Sequence, residues 1–194
     1  MRALLLSIKP KWVAKILNGE KTTEVRKSMP KCDLPIDVYI YCTKDKGLLH
    51  KNCADIYWVE DKDFRNKNKK LGLQTQSILN GKVVAKFWCD NVEEITTEKW
   101  SPSKEQDLLK ESCLTENQLF DYCNLESGKP FYAIRISKLE IFDKPKELSE
   151  FKANKKYWCD KCPYQYGICL PKCEELKPLT KAPKSYQFIE GEDK

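Results

Sequence analysis

Lys21, Thr22, Thr23, Glu24 and Arg26 stand within six residues of one another, just after Asn18-Gly19. A lysine offers a compact point charge and an arginine a planar fork, so the two suit a phosphate or a carboxylate. Glu24 and Arg26 are two apart. In a strand that spacing puts both on one face, with Thr23 and Val25 on the other. Two uses of the set compete. Glu24 and Arg26 form a structural ion pair on a half-buried strand, or Glu24 accepts from a base's exocyclic amine while Lys21 and Arg26 meet phosphate or sugar. Hydrolysis would need Lys21 depressed by desolvation or by a cationic neighbour, a role open to Arg26. The one histidine, His50, lies in a polar stretch, which argues against a His-dependent triad.

A second set lies near the other end. Cys159, Cys162, Cys169 and Cys173 put four thiols within 15 residues, with Pro163, Gly167 and Pro171 to supply turns. Two close pairs suit a tetrahedral, structural zinc site. An iron–sulfur cluster and free or redox-active thiols are the competing uses. Lys155, Lys156, Lys161 and Lys172 alternate with Tyr157, Trp158, Tyr164 and Tyr166. That mix suits a single strand of RNA or packing onto the rest of the fold. The other six cysteines show no ligand spacing and read mostly as core thiols.

The elements that must position the first set are legible. Residues 3–7 form an apolar strand. Pro10 suits the first turn of a helix. Trp12, Val13, Ile16 and Leu17 recur at helical spacing and form its buried face. Asn18-Gly19 ends it. Trp12 packs in the core or stacks a ligand, Lys9 sits at the strand's end facing the mouth of Lys21, and Tyr41 packs or stacks. Further strands are expected at 22–27, 38–42, 81–90 and 131–142, with 92–95 continuing one after a bend. A short helix is expected at 115–123, with Thr115 as N-cap. Residues 44–80 read as an exposed polar insertion carrying a basic run, Lys62 to Lys70. Five or six strands with few helical crossovers point to an α+β fold, a small mixed barrel with short flanking helices.

The chain has 194 residues, 41% hydrophobic and 33% charged, with a formal net charge of +6. A chain of this size buries roughly 70% of its unfolded surface and folds without staples. The mild positive charge permits a polyanionic partner without demanding one. Ten cysteines and a short apolar start, with no span or signal pattern, point to a reducing, cytoplasmic setting and no membrane. The organisation expected is one domain over 1–194, with the insertion at about 44–80 and a cysteine-rich zinc module at about 155–177.

Ser7-Ile8-Lys9-Pro10, a helix, then Gly19-Glu20-Lys21-Thr22-Thr23-Glu24-Val25-Arg26 resembles the ASCH domain of the PUA-like superfamily. Residues 81–87 and 131–134, leading into 144–148, agree with it, and 144–148 and 182–186 resemble the ASCH proteins of phages and gut bacteria. The resemblance implies a PUA-like barrel and an RNA-related role. It also implies a cleft between the barrel and the first helix lined by the segment from Gly19 to Arg26; with the residues read above, the candidate ligand-binding set of this basic cleft is Lys9, Trp12, Lys21, Thr22, Glu24 and Arg26. The ligand implied is RNA or a nucleoside. Some bacterial members are small amidohydrolases of N4-acetylcytidine that use a Lys and a Thr of this segment and a Glu of a later strand. Lys21 matches the Lys, but Glu24 stands at the Thr position, which shifts the reading from catalysis towards binding. If the chain is an enzyme, Lys21 and Glu24 are its candidates. A phage-derived adaptor that binds protein through the zinc module is the third reading.

Overall fold

The computed structural model describes residues 2–52, 54–60, 78–96, 100–124, 128–153 and 178–191. Among them are ten strands and three helices. β1 (Arg2–Ile8) leads into α1 (Pro10–Leu17) and β2 (Thr23–Arg26). β3 (Ile36–Cys42), β4 (Leu48–Lys51) and β5 (Tyr57–Glu60) follow. β6 (Lys82–Cys89) and β7 (Val92–Ile95) precede α2 (Pro102–Ser112) and α3 (Glu116–Cys123). β8 (Phe131–Arg135), β9 (Ser137–Glu147) and β10 (Tyr186–Glu190) complete the set. The fold is α+β, dominated by mixed sheet.

Hydrogen bonding divides the described strands into three sheets rather than one ring: β10-β1-β3-β6-β9, β2-β8-β7 and β4-β5. β1 runs parallel to β3, and the other pairs are antiparallel. β1 is apolar apart from Arg2 and Ser7 because both its faces are covered. Leu4, Leu6 and Ile8 meet Val13, Ile16 and Leu17 of α1, together with Ile134 of the second sheet. Ala3 and Leu5 pack on the other side with Tyr39, Tyr41, Phe151 and Ile189. Each of the larger of these side chains contributes about 1.5–3 kcal/mol when fully buried. Tyr41 is thereby committed to packing.

Three features depart from the reading of the sequence. The 131–142 run is two strands, broken at Ile136, whose N–H donates to Thr22 O at 2.9 Å. β7 leaves its expected continuation and pairs with β8. Residues 48–51 and 57–60 are not exposed insertion but paired strands packed on α1. Asn18 clamps them there: its Nδ2 donates to Tyr57 O at 2.8 Å and its Oδ1 accepts from Tyr57 N at 2.9 Å. His50 is buried in this strand pair, with Nε2 2.7 Å from Glu60 Oε2 and the ring stacked on Trp58. The basic run from Lys62 to Lys70 lies outside the described residues.

α2 and α3 cover the outer face of the second sheet. Leu108, Leu119 and Cys123 pack against Val25, Ile95, Phe131 and Ala133. Ser101 caps α2 by accepting from Lys104 N. Thr115 and Gln118 close a reciprocal capping box on α3.

Candidate functional site

The turn between α1 and β2 sets the site. Gly19 takes φ +74°, a conformation open to glycine at no steric cost. The chain then folds back so that Glu20 N and Lys21 N both donate to Lys15 O, at 2.9 and 3.0 Å. These bonds use an end carbonyl of the helix and deliver Lys21 beside Trp12. Lys21 Nζ lies 5.4 Å from the Trp12 ring centroid, within cation–π range.

β2 then sends its side chains to two different places. Thr23 and Val25 face α2 and α3. Glu24 and Arg26 face the other way, with Lys21. Glu24 Oε2 is 3.3 Å from Lys21 Nζ, and Glu24 Oε1 is 3.0 Å from Arg26 Nε. Lys21 also donates to Ser112 O at 2.8 Å, and Arg26 Nη2 donates to Ser7 O at 2.8 Å. The Arg26 Nε–H is close to the carboxylate but misaligned, so that contact is an ion pair without a hydrogen bond. All three residues are at least nine-tenths buried.

Burial pushes Lys21 below its ordinary value of 10.5; Glu24 opposes this and Arg26 reinforces it. Among the described residues, two buried cations share one carboxylate. Arg26 has five N–H groups, one bonded to Ser7 O and one turned towards Glu24, so its fork retains capacity for a ligand.

Of the other expected site residues, Trp12 borders this triad and Lys9 and Thr22 do not join it. Trp12 is half-buried and walls it. Lys9 is exposed and caps α1 only through its carbonyl, which accepts from Trp12 N and Val13 N. Thr22 is exposed; its N–H donates to Glu111 O and its carbonyl accepts from Ile136 N. Thr22 and Thr23 line a pocket of about 830 Å³ on the opposite face of β2, with Leu108, Glu111 and Arg135 among its walls. Thr23 Oγ1 donates to Glu111 Oε2 at 2.7 Å. Neither Thr22 nor Thr23 therefore replaces the missing hydroxyl at position 24.

Reading of the sequence did not find the carbonyls of Ser7 and Ser112, which carry no side-chain signal. Cys159, Cys162, Cys169 and Cys173 lie outside the described residues. Among the described residues no group of three or more His, Cys, Asp or Glu is arranged to hold a metal. Cys42, Cys89 and Cys123 are core thiols, pushed up by burial to about 12, 11 and 11. No described helix is long and apolar enough to cross a membrane.

The model of the ASCH domain family matches residues 6–112, more than half of the chain. The matched stretch holds Ser7, the whole triad and Ser112, and stops before α3. Among solved structures, the chain is similar to ASCH from Zymomonas mobilis: 16% identity, TM-score 0.49, covering 75% of this chain and 73% of that one. Two single-residue variants of that protein give the same score and identity, with 76% and 74% of their chains covered. No curated protein matches this sequence.

Proposed function

We propose that this chain, which belongs to the ASCH domain family, binds single-stranded RNA or a nucleoside-like ligand in a cleft beside α1. ASCH domains have a PUA-like fold that often binds RNA. The observation that carries the reading is the charge imbalance: Lys21 and Arg26 are buried around the single carboxylate of Glu24. A phosphate supplies the missing negative charge. Trp12 gives the base an apolar wall, and Lys9 and Lys11 extend the positive field along the head of α1. Binding to single-stranded RNA is expected to weaken steeply with added salt, as phosphate contacts release counterions. A titration at several salt concentrations measures this. Undetectable binding, or binding indifferent to salt, would sink the reading.

A second reading, hydrolysis of N4-acylated cytidine-type nucleosides, draws support from the lowered Lys21, since a lysine that gives up its proton more readily than usual is better suited to act as a base. It requires acetate release from N4-acetylcytidine that disappears in Lys21→Met. Against it stands Glu24 at the position of the hydrolytic threonine, with Thr23 bonded to Glu111 on the other face of β2.

The spacing of Cys159, Cys162, Cys169 and Cys173 supports one structural zinc ion. Its chemistry there would be to fold the segment, since zinc binding releases about 10–16 kcal/mol in small finger peptides. Metal analysis of purified protein is expected to find about one zinc per chain, lost in Cys162→Ser. Protein free of transition metal would remove this proposal, and with it the adaptor reading in which the module binds a protein partner.

A further inference from the structure

We infer that the cavity between α2 and the second sheet binds a small zwitterion of the amino-acid type, its carboxylate taken by Arg135 and its ammonium by Asp107 and Glu111. The cavity lies on the face of β2 opposite Glu24 and Arg26, and the inference does not depend on the RNA reading.

Lys104, Asp107, Leu108 and Glu111 stand at i, i+3, i+4 and i+7 of α2, on one face of the helix, and all of them line the cavity. A helix face turned to a sheet is ordinarily apolar. Here only Leu108 is apolar, and the others are charged. The sheet answers in kind. Thr23 and Arg135 are cross-strand partners, so their side chains share this face. The next row carries Val25, Ala133 and Glu93. Ala133, small and central in that row, leaves depth beneath α2. The space is about 830 Å³, within the range of small-molecule sites. Ile95, Leu108 and Ala133 give it a buried, apolar floor.

The charges set the ligand. Lys104 and Glu93 satisfy each other at 2.7 Å. Thr23 Oγ1 occupies one oxygen of Glu111, also at 2.7 Å. Arg135, Asp107 and the second Glu111 oxygen remain, and among the described residues no side-chain bond or ion pair engages them. Both signs of charge thus stand unspent on one cavity without pairing across it. A simple anion would meet two carboxylates there, and a simple cation a guanidinium. A ligand that carries both charges meets both complements. Arg135 can grip a carboxylate with two parallel bonds. The floor takes a hydrocarbon side chain out of water. No aromatic residue is among the described walls, so the cavity offers a base no stacking surface.

The test uses L-leucine as the probe, beside 4-methylpentanoate, which lacks the amine, and 3-methylbutylamine, which lacks the carboxylate. Calorimetric titration is expected to show saturable leucine binding with a Kd below about 1 mM. Each truncated probe should bind about tenfold more weakly or worse, the scale of one lost hydrogen bond to a charged group. Arg135→Met and Asp107→Asn, at exposed positions, should each cost leucine about tenfold or more. In the wild-type protein the Ala133 methyl resonance should shift on adding leucine. Absence of saturable leucine binding overturns the inference. Amine or acid binding as tightly as leucine overturns it too, because the site then reads one charge only. Wild-type leucine affinity in folded Arg135→Met or Asp107→Asn removes it, as does an unmoved Ala133 methyl in a saturated complex. Salt-sensitive RNA binding is measured separately, so failure of either reading leaves the other standing.

Discussion

Glu24→Ala is expected to destabilise the protein by about 3–5 kcal/mol, the cost of leaving buried charge without its partner. For a chain of this size that is a melting temperature lower by roughly 6–20 °C. Glu24 is the hub of the triad: one oxygen faces Lys21 at 3.3 Å and the other faces Arg26 at 3.0 Å. Removing it leaves two cations in a site with little water to screen them. Glu24→Gln keeps the shape but loses the charge, so it should fail in the same direction. Adding Lys21→Met to Glu24→Ala removes one of the stranded cations and should recover part of the loss. Chemical denaturation of the four proteins measures this. A cost below about 1 kcal/mol for Glu24→Ala, the value of an exposed pair, would mean that solvent reaches the triad.

The second large effect separates structure from function at one residue. Lys21→Met is expected to stay folded, within about 2 kcal/mol of the wild type. Replacing a buried charge by an apolar isostere is often neutral, although the bond to Ser112 O is lost. RNA binding should nevertheless fall at least tenfold, the scale of a lost charge-assisted contact. The pH profile carries a further signature. In the unfolded chain the lysine keeps its proton up to about 10.5; in the folded chain burial releases it at a lower pH. Between those two values the unfolded state binds more protons, so wild-type stability rises with pH across that window and levels off above it. Lys21→Met should abolish that rise. A variant that loses stability but keeps RNA affinity would assign Lys21 to structure alone.

Much of the triad's placement was legible beforehand. The apolar run of β1, Pro10 at the head of α1, the glycine turn and the period-two split of β2 all appear where their chemistry predicts. Thr23 and Val25 do face away from Glu24 and Arg26. What local pattern could not show was where the far partners lie. Ser112 O reaches Lys21 from 91 positions along the chain, and a main-chain carbonyl leaves no mark in residue type. α2 escaped notice because Pro102–Ser112 buries little more than Leu108, too little for an apolar period. The break at Ile136 was hidden because alternation continues through it, while its N–H is taken by Thr22 in another sheet. The paired strands at 48–51 and 57–60 were read as solvated because their polar residues include His50 and Glu60, which are buried against each other.

Whether the triad is a binding site or a finished ion network is the central question. Both cations are occupied in part, and the network is nearly closed to solvent. The proposed binding rests on the imbalance of two cations to one carboxylate, which an anion would balance. The decisive measurement is the salt dependence of single-stranded RNA binding by wild type and by the double variant Lys21→Met/Arg26→Met, with folding verified by circular dichroism. The account predicts a steep salt slope for wild type, and for the folded double variant a weaker complex whose slope falls by about two phosphate contacts. A folded double variant with wild-type affinity and slope would contradict it.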